Sequence, residues 1–145
     1  MERIIMIRNY QKEDIGILMN IWLQGNIDAH YFIEKNYWQD HYDEVKRELP
    51  NARLYVDEED GEIAGFVGMQ GEYIAGIFVK RAYRGQRIGS KLIDFFKLKH
   101  NRLQLSVYKQ NQTAFNFYQK RGFKVIKKEI DNETGAWECR MEWKK

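Results

Sequence analysis

Ile77-Phe78-Val79-Lys80-Arg81-Ala82-Tyr83-Arg84-Gly85-Gln86-Arg87-Ile88-Gly89-Ser90-Lys91-Leu92 is the stretch on which the fold turns. It closes a strand with three apolar residues, crosses a basic turn, and reopens as a helix with Ile88, Leu92, Ile93 and Phe96 on one face. A helix start carries N–H groups without intrahelical partners and the positive end of the helix dipole. Glycine lets a ligand approach the backbone closely. Together they form a cradle suited to a pyrophosphate, and Arg84, Arg87 and Lys91 add positive charge beside it. On these residues alone, a solvated turn whose glycines serve only chain geometry is the other reading. The spacing is not Gly-x-x-x-x-Gly-Lys-Ser/Thr. No acidic ribose ligand follows in a βαβ unit, as a dinucleotide site requires.

Outward from this stretch, Tyr73 to Val79 reads as the strand entering the loop, with a turn at Gly71 before it. Ile63 to Met69 is a longer apolar strand. Glu59-Asp60-Gly61-Glu62 joins it to Leu54-Tyr55-Val56, because Asp-Gly between apolar runs selects a hairpin. Ile15, Leu18, Met19 and Trp22 recur at helical spacing, and Trp38, Tyr42, Val45 and Leu49 repeat the pattern in a second helix stopped by Pro50. An aromatic and polar loop, Gly25 to Asn36, lies between them, and residues 3–8 form a first strand. On the other side, Leu103, Leu105 and Val107 alternate as a strand. Ala114, Phe117, Tyr118 and Arg121 share one stripe of a short helix closed by Gly122. Lys124 to Ile130 and Trp137 to Trp143 pair across the turn Asp131–Gly135. The order β-α-α-β-β-β-α-β-α-β-β predicts an α/β chain with a mixed, mostly antiparallel sheet of about seven strands and about four helices on both faces.

A chain of 145 residues has room for one domain, expected over residues 1–145. The net charge of +3 comes from 24 basic and 21 acidic residues mixed along the chain, which argues against the one-signed stripe of a nucleic-acid binder. The single cysteine, Cys139, cannot support a disulfide framework. No run approaches the roughly 20 apolar residues of a membrane span, and the first residues lack a signal-peptide pattern, so no membrane is expected and the cytoplasm is the expected location. His30, His41 and His100 have no ligand spacing, and no metal is expected.

Two separated motifs resemble the signatures of the GNAT superfamily of N-acetyltransferases. Tyr83-Arg84-Gly85-Gln86-Arg87-Ile88-Gly89 is similar to its acetyl-CoA motif, Gln/Arg-x-x-Gly-x-Gly/Ala. Asn111-x-x-Ala114-x-x-Phe117-Tyr118-x-x-x-Gly122-Phe123 is similar to the second, about one helix and one strand further on. The likeness extends over essentially the whole chain, is nearest to small bacterial N-acetyltransferases including lysine acetyltransferases, and implies acetyl transfer from acetyl-CoA to an amine in a ternary complex, with CoA as product. One departure is Arg87, which stands where the motif's first glycine belongs. A side chain is tolerable there if the backbone stays in the right-handed α region.

The resemblance assigns roles. Ile77, Phe78 and Val79 offer backbone groups to the pantetheine, and the Val79 N–H polarises the thioester carbonyl. Arg84, Gly85, Gln86, Arg87, Ile88, Gly89 and Ser90 hold the pyrophosphate. Asn111 hydrogen-bonds the cofactor arm, and Tyr118 protonates the leaving thiolate. A phenol suits that task, since its free pKa of about 10 lies above that of a thiol. By spacing alone Tyr118 is a core aromatic and Asn111 a helix-entry residue. The amine must also lose a proton, because an alkylammonium has a pKa of about 10.4. Many members place a glutamate on the strand before the second motif; here that position holds Ser106. Glu72 is the other candidate base, with a water chain or an ordinary charged turn as alternatives.

His30 and Phe32, in the aromatic loop, are the candidate acceptor-binding residues, and the same loop reads equally as packed core. The acceptor is expected to be a protein lysine or a small-molecule amine, and the protein a monomer or homodimer. A non-catalytic acyl-CoA-binding or sensing module is the rival reading. It would keep the cradle and dispense with the acid.

Overall fold

The computed structural model describes residues 5–145. A seven-stranded sheet runs in the order β1-β2-β3-β4-β5-β7-β6. Its strands are β1 (Ile5–Asn9), β2 (Arg53–Glu59), β3 (Glu62–Gln70), β4 (Tyr73–Val79), β5 (Arg102–Tyr108), β6 (Lys124–Ile130) and β7 (Trp137–Lys144). The helices are α1 (Ile15–Ala29), α2 (Lys35–Asp40), α3 (Tyr42–Glu48), α4 (Ile88–Lys99) and α5 (Gln112–Lys120). The mixed, mostly antiparallel sheet of seven strands is as the sequence predicts. Positions 3 and 4 of the expected first strand lie outside the described residues.

Two expectations about the helices need correction. The single helix expected from Trp38 to Leu49 is two, because the chain leaves the helical path at His41, where φ is −91° and ψ is −2°. The described residues therefore hold five α-helices, where about four are expected. α1 also runs on to Ala29, taking up the first residues of what reads as loop. Gly25 does not stop it, because a hydrogen atom at Cα lets Phe78 pack close: a Cβ there would stand 3.4 Å from that ring.

The two faces bury separate cores. Leu18, Met19, Ile21 and Trp22 of α1 join Trp38 of α2 against Leu54, Val56 and Phe66. On the other face Ile88, Leu92, Ile93 and Phe96 of α4 meet Val67, Met69, Leu103, Leu105 and Met141. Alternation of side chains along each strand sends one set to each face.

β4 and β5, the parallel pair, position the site. They are in register only at Tyr73↔Gln104 and Ile74↔Leu105. Immediately afterwards the β3–β4 register shifts: Met69 pairs with Ile74 but Gly68 with Gly76, leaving Ala75 as the extra residue of a bulge. A bulge increases local twist and bends the strand. The bulged strand stays with β3 as far as Gly65↔Val79 and leaves β5, opening a fork between them. Gly65 is needed for this arrangement, since a Cβ there would lie 2.6 Å from the Phe78 carbonyl oxygen and 3.3 Å from Ile88.

Asp57 and Glu59 are buried carboxyls on β2. Lys91 of α4 approaches Glu59 at 3.3 Å. Burial, then the hydrogen bond and the charge of Glu59, push the Asp57 carboxyl up to about 8.

Two predictions follow from packing and burial. Gly65→Ala is expected to destabilise the fold by about 1–3 kcal/mol in urea unfolding, because backbone must move to admit the methyl. The folded Asp57 carboxyl holds its proton up to about 8, against 3.8 for the free group, so stability falls as pH rises through that window. Asp57→Asn keeps a donor for Glu59 and is expected to raise the melting temperature more at pH 8 than at pH 5.

Candidate active site

The fork exposes one edge of β4. In an antiparallel ladder, the N–H and C=O of one residue point to the same side, and successive residues alternate. The Lys80 N–H donates to the Ala64 carbonyl on β3. Phe78 therefore turns its backbone to β3, while Ile77 and Val79 turn theirs into the fork. Among the three residues expected to offer backbone groups, Ile77 and Val79 are the two placed to do so. The Phe78 side chain instead stacks on Phe66 in the α1 core, with ring centroids 5.2 Å apart.

Beyond β4 the chain makes a short turn at Arg81–Tyr83 and reaches α4. Gly85 has φ +82°. Arg87 is the N-cap of α4 with φ 65° and ψ 23°, and no side chain caps the first turn. The condition under which a side chain is tolerable at this position is thus not met: the backbone of Arg87 takes the left-handed form that glycine adopts easily. The turn geometry needed to present the N–H groups of α4 dictates this at the expense of Cβ strain. Gly89 lies against Phe117 of α5, where a Cβ would stand 3.4 Å from the ring.

Arg84 reaches back rather than outward. Its Nε donates to the Val79 carbonyl at 3.4 Å and its Nη1 to Asp28 of α1 at 2.9 Å. Arg81 holds the other Asp28 oxygen at 2.7 Å. These arginines, led by Arg81, hold the Asp28 carboxyl down at about 2. Lys91 is drawn under α4 by Glu59. Arg81, Arg84 and Lys91 of the basic run are therefore turned onto carboxylates of α1 and β2. Ser90 accepts a hydrogen bond from Arg121, whose guanidinium stands over the Phe117 ring at 5.3 Å. Arg121 is a cation beside the first turn of α4 that motif reading passes over; its place on the apolar stripe of α5 is the trace it leaves in the sequence.

The other arm of the fork ends at Asn111. Its Oδ1 caps α5 by accepting from the Ala114 N–H at 3.3 Å, and its Nδ2 lies 3.5 Å from His30 Nε2. β5 and β6 are both antiparallel to β7, so they run parallel and α5 returns along β5 between them. From Gln112 to Tyr118 the helix climbs back about 10 Å, which about three strand residues span. Tyr118 packs against the core cluster that holds Leu105 and Phe123, its ring centroid 5.8 Å from that of Phe123. Burial pushes its hydroxyl up to about 12, so it carries its proton at neutral pH.

On the opposite face, the Tyr73 hydroxyl donates to Ser106 Oγ at 3.0 Å, level with the opening of the fork. His30 stacks on Trp38 at 5.1 Å and meets Tyr108 and Phe32 edge-on at 5.1 and 5.7 Å. Burial pushes its imidazole down to about 4, so it is neutral near pH 7. The β6–β7 turn closes this side: Tyr108 donates to Asp131 at 2.6 Å and Tyr37 to Glu133 at 2.5 Å. Glu72 stands apart. It lies in the β3–β4 turn at the closed end of the fork, tied to Arg102 at 2.8 Å, and is not gathered with Tyr118 and Ser106. No group of three or more His, Cys, Asp or Glu side chains suited to a metal ion occurs among the described residues.

The residues fit an acyl-CoA. An unpaired strand edge can bind the amide-rich pantetheine, and an uncapped helix start can bind the pyrophosphate. Replacing Arg87 by glycine is expected to raise stability by about 1 kcal/mol, because the left-handed backbone no longer carries a Cβ. Thermal unfolding of Arg87→Gly beside the parent checks this.

The acetyltransferase (GNAT) domain family matches residues 9–145. Peptidyl-lysine N-acetyltransferase YiaC of Escherichia coli K12 is 36% identical over 140 residues, covering 95% of this chain and 96% of the relative. Peptidyl-lysine N-acetyltransferase YjaB of the same organism is 31% identical over 132 residues, covering 89% of each. The solution structure of apo YjaB matches with a TM-score of 0.87 at 27% identity over 97% of each chain. The PaiA N-acetyltransferase of Thermoplasma acidophilum, solved with coenzyme A, shares the fold, with a TM-score of 0.78 at 22% identity over 98% of this chain and 99% of that one. With its forked sheet and two coupled motifs, the chain belongs to the GNAT acetyltransferase family, enzymes that transfer an acetyl group from acetyl-CoA to an amine.

Proposed function

We propose that residues 1–145 are one domain that acetylates lysine side chains of proteins, acting in the cytoplasm. The fork supports this reading, because it leaves a strand edge free for the acyl donor beside the Ser106–Tyr73 ledge on one face of the sheet, with Tyr118 taken as the proton donor from the other. The lysine acceptor is supported by the names of YiaC and YjaB, which match most of this chain. No helix among the described residues is long and apolar enough to cross a membrane.

When bound, acetyl-CoA supplies the thioester as the activated acyl donor. The N–H groups of Ile77 and Val79 and the α4 start bind and orient it, and a fork-facing N–H polarises its carbonyl oxygen. Asn111 contributes its amide to the arm while still capping α5. Tyr118 donates its proton to the departing thiolate sulfur: its raised pKa keeps the phenol protonated at neutral pH, and because the thiolate is the weaker base the transfer is drawn forward by solvent returning a proton to the phenolate. The amine enters over Ser106 and Tyr73, beside the aromatic wall of His30 and Phe32. Glu72 has no part in this scheme, because Arg102 holds it outside the fork. Direct transfer between the two faces requires no covalent intermediate, and Cys139, buried on β7, stays out of reach.

Calorimetric titration tests the cradle. Micromolar binding of acetyl-CoA and CoA, with none of ATP, is expected; no binding of either CoA species would remove the catalytic reading. Tyr118→Phe tests the acid. It is expected to lower kcat about 100-fold or more while acetyl-CoA binding stays nearly unchanged. Retained kcat would remove Tyr118 from the role of acid and leave the thiolate to be protonated by water, whereas a parent that binds acetyl-CoA and turns over no amine would favour the non-catalytic acyl-CoA-binding module.

A further inference from the structure

The fork lacks a carboxylate at Ser106, yet the acceptor amine has to lose a proton before it can attack. Arg140 lies directly across β5 from this point, paired with Ser106. Its guanidinium carbon stands 5.2 Å over the Tyr73 ring, so the side chain reaches across Ser106 to the strand on the other side of the fork. Its Nε is buried with no hydrogen-bond partner. Among the described residues Arg140 makes no ion pair within 4.0 Å.

The charges sharing this face have other partners. On β7, Glu142 is held by Gln104 at 2.7 Å and lies 3.6 Å from both Arg102 and Lys144. On β6, Lys127 pairs with Glu129 at 3.3 Å. At the β6–β7 turn, Asp131 is held by Tyr108, and Glu133 is held by Tyr37 with His41 at 3.9 Å. Glu138 lies opposite Tyr108, two pairs further toward the open end; burial followed by Asp131 and Glu129 pushes its carboxyl upward, and the charge of Arg140 pulls against them. From β4 and β5 the facing groups are the hydroxyls of Tyr73 and Ser106. Arg140 thus has no carboxylate within 4.0 Å; the Tyr73 ring lies against its guanidinium, Glu138 is its longer-range counter-charge, and it stands beside Ser106 on the face opposite Tyr118.

We propose that Arg140 takes the place of a general base: its fixed positive charge at the fork disfavours the ammonium form of the acceptor, so that the amine binds and reacts uncharged. A like charge nearby lowers an ammonium pKa, and a neighbouring cation is one of the recognised ways of activating a lysine amine. The proton leaves to bulk water on entry. The free amine donates to the Ser106 and Tyr73 oxygens, and its lone pair forms the bond to the acetyl carbon. The carbon–sulfur bond breaks, the sulfur takes the Tyr118 proton, and the nitrogen's surplus proton passes to water and restores Tyr118 through solvent. Arg140 gains and loses nothing.

This inference rests on the lysine-acceptor reading above. The experiment uses the full chain and a synthetic peptide library with one central lysine, and compares wild type with Arg140→Gln and Arg140→Lys. Two quantities are measured: the pH profile of kcat, and the protons released when peptide binds the CoA-loaded protein, from calorimetry in two buffers of different ionisation enthalpy. The wild type is expected to release protons on binding near pH 8. Arg140→Gln is expected to release less than half as many and to move the acid limb of kcat upward by about one unit or more, recovering rate at high pH. Arg140→Lys is expected to behave as wild type. Loss of rate at every pH with an unmoved limb would overturn the inference and leave Arg140 a packing residue. So would equal proton release by wild type and Arg140→Gln. A wild type that acetylates no peptide overturns the lysine reading and this inference with it.

Discussion

Everything at this site depends on two strands ceasing to pair. β4 and β5 share two register positions and then separate at the Ala75 bulge. Parallel pairing is the less stable kind, and the bulge twists β4 away while β3 continues to hold it. The hydrogen-bonding groups of Ile77 and Val79 are left unmatched within the sheet. Unmatched backbone in a half-buried place is costly, and a ligand that can hydrogen-bond along that edge relieves it. The fork is thus a binding site made from an omitted pairing.

The helices fix how wide that fork stands. α4 springs from one arm and α5 from the other, and they meet at Gly89 and Phe117, where absence of a Cβ allows close approach. The last turn of α1 touches both arms, through Asp28 to Arg81 and Arg84 and through His30 to Asn111. Arg84 therefore acts within a small network rather than as an isolated phosphate ligand. The left-handed backbone of Arg87 belongs to the same loop, and its strain is local.

The two faces of the fork meet different environments. Tyr118 emerges from an apolar core that raises its proton affinity and keeps it protonated at neutral pH. The opposite ledge is polar, walled by His30, Phe32 and Tyr108, and floored by Ser106 and Arg140. The proposed scheme uses this division, drawing the acid from one side and the deprotonation of the amine from the other.

Strand and helix types, their order, the mild charge and the two glycine-bearing motifs were legible in the chain itself, because alternation, helical spacing and turn residues are local patterns. The candidate cofactor positions from Arg84 to Ser90, with Asn111 and Tyr118, are legible for the same reason: each is specified by short spacing around a helix start or stripe. The break at His41, the reach of α1 to Ala29, the handedness at Arg87 and the separation of Glu72 from the fork were not. Nor were the parts played by Asp28, Tyr73, Arg121 and Arg140. These depend on which strands become neighbours and where their pairing stops. Arg140 meets Tyr73 only because β7 inserts beside β5, 67 positions along the chain from Tyr73. Contacts of that range carry no periodic signature, so the chain determines them only through the closed sheet, while the local conformational rules of its residues determine the rest.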